Sequence, residues 1–114
     1  MVARNRFTSG ERAARSRLAQ LLHDHEVISG SVVSMARRCG KKGCRCQRGE
    51  KHVSLYLSIK VEGKRRMVYI PSELEDEVRR RVGTYREVER LTQVVSDACI
   101  HRVLEQKRNR GNNG

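Results

Sequence analysis

The chain has no Trp, one Phe, three Tyr and one Pro among its 114 residues. With so few large aromatics, any core has to be built mainly from aliphatic side chains. No stretch approaches the roughly 20 consecutive apolar residues of a membrane-spanning helix. The opening run MVARNRFTSGERAARSR also lacks the apolar centre of a secretory signal. The expectation is a cytoplasmic protein with no membrane partner. Acidic residues are scarce too: 13 Asp and Glu stand against 25 Lys and Arg, a net charge of +12. Such a surplus on a small domain repels itself unless a polyanion neutralises it, so nucleic acid is the first class of partner to consider. Charge alone supplies affinity without sequence information.

Catalytic motifs are also missing. There is no G-x-S-x-G, no H-E-x-x-H and no glycine-rich phosphate loop. No catalytic residue is assigned, and an enzyme is not expected.

Length favours one domain. Residues 1–9 read as a flexible basic N-terminus, 10–106 as a single α+β domain, and 107-KRNRGNNG-114 as a disordered tail. Within the domain, a helix is predicted over 10–25. Thr8 and Glu11 fit a capping box, and Ala14, Leu18, Leu21, Leu22 and His25 share one face. In 53-VSLYLSIKV-61 every odd position is apolar, which marks a half-buried strand. Glu62-Gly63 supplies a two-residue turn, and 64-KRRMVYI-70 returns as the partner strand before Pro71. That turn sets the pairing: Leu55 with Ile70, Leu57 with Val68 and Ile59 with Arg66 on the core face. Tyr56 with Tyr69, Ser58 with Met67 and Lys60 with Arg65 then share the other face. The run 30-GSVVSMARR-38 supplies a third antiparallel strand.

The helical part, 72–106, reads as two helices. Ser72 and Glu75 cap the first, which Gly83 stops; Thr84 and Glu87 open the second, which reaches about Gln106. Its apolar face holds Val88, Leu91, Val94, Val95, Ala98 and Cys99, extended by Ile100, Val103 and Leu104. That stripe is wide enough for core packing with a homodimer contact in addition.

Three of the four cysteines fall within 39-CGKKGCRC-46, and His52 follows. The spacing C-x4-C-x-C-x5-H offers Cys39, Cys44, Cys46 and His52 as four ligands for one structural Zn2+. Nearby cations favour the metal-binding thiolates. The spacing is not the usual C-x2-C of zinc sites. An iron–sulfur site, a disulfide, a redox C-x-C pair and thiols that bind no metal therefore stay open beside zinc. Cys99, in an apolar helix, reads as a core residue. The fold class expected is thus α+β: a small three-stranded antiparallel sheet with a Cys/His zinc knuckle, preceded by one helix and followed by two.

Half of the net charge lies around the cysteines. Residues 37–51 hold Arg37, Arg38, Lys41, Lys42, Arg45, Arg48 and Lys51 against Glu50 alone, a balance of +6. Beside them, Lys60 opposite Arg65 is a like-charge pair that an anion would relieve. Tyr56 and Tyr69 on the same face offer stacking or hydrogen bonds to bases and backbone.

The run from Gly30 to about Leu104 resembles an uncharacterised prokaryotic family of small proteins and domains. The elements that carry the likeness are Gly30-Ser31, Cys39 to Cys46, Gly49, His52, Tyr56, Gly63-Lys64 with Arg66, and Tyr69-Ile70-Pro71. The aromatic cluster that follows the His in that family is reduced here to Tyr56. The resemblance implies a Cys/His set that acts as a unit, and no established activity.

The function expected is a nucleic-acid-binding accessory protein, with DNA favoured over RNA and the basic loop presented by zinc. The residues expected to meet nucleic acid are the seven cations of 37–51 with Lys60, Arg65, Tyr56 and Tyr69. The alternative is a protein-interaction module that dimerises through its last helix and has no nucleic-acid activity.

Overall fold

The computed structural model describes residues 7–37 and 52–113. In chain order these form α1 (Ser9–Asp24), β1 (Ser31–Arg37), β2 (His52–Val61), β3 (Lys64–Ile70), a 3-10 turn (Ser72–Leu74) and α2 (Glu75–Asn113). The chain divides into two compact units. One holds the described residues up to Glu26 with those from Thr84 onward; the other is Val27–Gly83.

The helical unit pairs α1 with the later part of α2. Thr8 is the N-cap of α1: its Oγ1 accepts a hydrogen bond from the Glu11 amide at 3.1 Å, satisfying one of the free donors of the first turn. Ala14 and Leu21 of α1 are buried, as are Val88 and Leu91 of α2. Leu22, expected on the buried face, is 53% exposed. Glu11, by contrast, is only 2% exposed and is held by three guanidinium contacts. Arg102 reaches it through both terminal nitrogens, at 2.6 and 3.2 Å, and Arg15 Nε donates at 2.7 Å. The hydrogen bond from Arg102, helped by Arg15, outweighs the effect of burial and keeps the Glu11 carboxyl below its ordinary range. Arg102 and Arg15 also lean on Cys99 Sγ, at 3.2 and 3.7 Å, and both guanidinia lie over the Phe7 ring. Midway along α1, Arg17 helps Arg90 hold the Glu87 carboxyl low. The contact of Glu11 with Arg102 and the electrostatic pull of Arg17 on Glu87 run α1 antiparallel to α2.

The second unit is the sheet with the start of α2. Strand order is β1-β2-β3, all antiparallel. The hairpin pairs Leu55 with Ile70, Tyr56 with Tyr69, Ile59 with Arg66 and Lys60 with Arg65, as its two-residue turn demands. Both turn residues adopt positive φ, Glu62 at 51° and Gly63 at 81°. β1 pairs Val33 with Tyr56 and Val32 with Leu57, which sets the face each of its side chains takes. Ile70 and Val82 are buried, and the Ile28 amide donates to the Arg81 carbonyl at 3.1 Å, tying the chain before β1 to the first turns of α2.

The expected fold class needs correction. One helix follows the sheet, not two: α2 runs through Gly83 without a break. A lone Gly in a helix interior costs only about 0.5–1 kcal/mol relative to Ala, and buried Val82, Val88 and Leu91 anchor the turns around it. Nor does α2 stop near Gln106. It continues to Asn113, where a loose tail from Lys107 was expected, and its 39 residues span about 58 Å. The zinc knuckle finds no counterpart among the described residues, where no group of three or more His, Cys, Asp or Glu gathers to hold a metal. Cys39, Cys44 and Cys46 lie outside the described residues, and His52 enters only through its backbone at the start of β2. Among the described residues, no helix is long and apolar enough to cross a membrane.

Candidate nucleic-acid interface

Alternation along β2 puts Ser54, Tyr56, Ser58 and Lys60 on one face of the sheet. Register adds Arg65, Met67 and Tyr69 from β3, and Val33 and Met35 from β1. This face is open. Tyr69 is 57% and Met67 42% exposed, and every residue from Lys64 to Tyr69 is exposed. Tyr56 and Tyr69, directly opposed, meet edge to face with ring centroids 5.8 Å apart and planes at 69°. Their contact fixes both rings in the middle of the face, with Tyr69 the more accessible.

The opposed cations solve their repulsion locally. Arg65 turns away from its neighbour Lys60 and donates from Nη1 to Ser58 Oγ at 2.6 Å. Ser58 is 5% exposed, so the guanidinium lies across β2 and covers it. One guanidinium edge is thereby spent, while Lys60 projects from the strand into solvent. Lys64 and Arg66 are exposed as well. Residues 60–66 thus form a hairpin tip with four cations against Glu62, a net +3. Arg66 was placed on the core face by its pairing with Ile59, and nothing in the two-residue period revealed that the face ends in solvent there.

The expected site residues do not all converge. Lys60, Arg65, Tyr56 and Tyr69 are brought onto one face. Arg37 and His52 pair with each other at the opposite end of β2, some 8 residues or about 26 Å from Lys60. They bracket the segment that carries Arg38, Lys41, Lys42, Arg45, Arg48 and Lys51, all of which lie outside the described residues. The basic hairpin tip and the two strand ends that launch the basic loop therefore belong to opposite ends of one strand.

Gly30, the glycine that opens the sheet, has a steric reason for being there. A Cβ at this position would lie 2.8 Å from the Ser58 carbonyl oxygen and 3.1–3.2 Å from the Ile59 and Leu57 side chains. Only a glycine lets the chain enter β1 this close to β2.

A helical unit and a three-stranded antiparallel sheet unit, the latter ending in an exposed basic hairpin, define the class. Residues 11–80 match the model of a domain of unknown function, DUF6788. The chain belongs to that family. No curated protein and no solved structure matches it.

Proposed function

We propose that the protein is a nucleic-acid-binding accessory protein that meets duplex DNA in preference to RNA. The observation that carries this reading is the open sheet face on which Tyr56 and Tyr69 stand beside Lys60 and Arg65. The overall +12 supports a polyanionic partner, and β-sheets that read duplex DNA offer a physical precedent. Lys60 and the exposed Lys64 and Arg66 meet phosphates, the tyrosines meet sugar, backbone or unpaired bases, and the cations of 37–51 supply a second positive region.

Zinc belongs to the same proposal. Cys39, Cys44, Cys46 and His52 fall within one short stretch of the sequence. Three thiolates and an imidazole match the donor set of structural zinc. Elemental analysis of protein purified without added metal should find one Zn2+ per chain and none in Cys44→Ser. Absence of zinc from the unaltered protein would remove the metal from the proposal.

Binding is tested by fluorescence anisotropy with a labelled duplex at several salt concentrations. Affinity should fall linearly on logarithmic axes, and Lys60→Glu should both weaken binding and flatten the slope by about one unit. Identical slopes for the two proteins would overturn the placement of phosphates on this face.

A further inference from the structure

Two apolar stripes run along the later half of α2, and α1 occupies one of them. Val88, Leu91, Cys99 and Arg102 recur at helical spacing on the side that meets α1. Advancing 100° per residue, Ile100, Val103 and Leu104 fall between about 80° and 180° around the helix from that side. They are 51%, 61% and 57% exposed. A continuous apolar stripe on an exposed helix face is the usual mark of an association surface.

The charges at its two ends say what fits. Asp97 precedes the stripe by one turn, Lys107 follows it by one turn, and Arg110 comes next. Val103, Gln106, Lys107 and Arg110 together line a shallow groove. The order along the helix is acid, apolar, base. A second copy laid antiparallel reverses that order, so Ile100 of one copy meets Leu104 of the other and Asp97 meets Lys107. A parallel copy would instead set Lys107 on Lys107 and Arg110 on Arg110. An isologous two-fold interface requires the self-complementarity that the antiparallel arrangement has.

We propose that this face of α2 docks the same face of a second copy, antiparallel, to form a homodimer centred on Ile100, Val103 and Leu104. The interface stands apart from the nucleic-acid reading and does not depend on it. It also differs from the wide stripe the sequence suggested, because Leu91 is only 6% exposed and belongs to the packing within one chain. These interface positions lie beyond the family match at 11–80.

Sedimentation equilibrium on the full chain tests it. The unaltered protein should run at twice its 13.1 kDa mass at tens of micromolar. Leu104→Glu should weaken self-association about tenfold or more while leaving helix content by circular dichroism unchanged. Asp97→Lys should weaken it as well, and adding Lys107→Asp should restore it. A monomeric wild type, including one whose stripe serves a different partner, would overturn the proposal. So would a dimer that tolerates Leu104→Glu, or a double exchange no tighter than Asp97→Lys alone.

Discussion

At Gly30 a missing side chain fixes where two strands meet. The backbone carbonyl of Ser58 stands where a Cβ would go, and a backbone atom in a paired strand has little room to yield. Gly30→Ala should therefore lower stability by about 1–3 kcal/mol, measured by urea unfolding. Glu11 makes the contrary case, a charged side chain that the fold encloses. Its carboxyl sits below its ordinary range because Arg102 and Arg15 donate to it. Its contribution to stability is complete above the ordinary value of 4.5 and is lost as pH falls through the lower folded value. Thermal midpoints should accordingly drop on acidification below that value, and Glu11→Gln should drop less over the same range. Spacing from Thr8 identifies Glu11 as a capping acid. Nothing local announces that Arg102, 91 residues later, will bury it.

Among the elements, the hairpin and the long helix show opposite relations between local signal and outcome. The β2–β3 register follows from turn length and alternation, and both are local. Once Glu62 and Gly63 take positive φ, each pair down the ladder is determined. Gly83 carries an equally clear local signal, a glycine after three arginines and before a Thr-x-x-Glu capping box. There the packing of Val82, Val88 and Leu91 wins, and the helix continues. The two arrangements make opposite predictions for one substitution. In a continuous helix, with open space around Gly83, Gly83→Ala should raise stability by about 0.5–1 kcal/mol. Were Gly83 a left-handed cap, the same change would lower it by about as much. Chemical denaturation distinguishes them by sign.

For the whole molecule, the question is how +12 is distributed. Sequence alone shows that half of it surrounds the cysteines. Register shows what sequence could not: β2 separates the basic hairpin tip from Arg37 and His52, which flank the cysteine segment. The candidate site was legible as a set of residue types, and half legible as a surface. Tyr56, Tyr69, Lys60 and Arg65 share a face because strand alternation is strict. Exposure of Lys64 and Arg66 depends on where the core ends, and no periodicity encodes that. Membership of a domain family of unknown function leaves the choice of partner to this physics.

The central claim, that the open sheet face and the basic hairpin tip at its end hold nucleic-acid phosphates, is tested most directly by the salt dependence of duplex binding in wild type and in Lys60→Glu/Arg66→Glu, the first on that face and the second at the tip. Both residues are exposed, and neither is part of the Arg65–Ser58 contact. Log affinity should fall steeply with log salt in the wild type. In the double variant the slope should be shallower by about two, with folding unchanged by circular dichroism. Equal slopes and affinities in the two proteins, or no binding to any duplex at low salt, would contradict it.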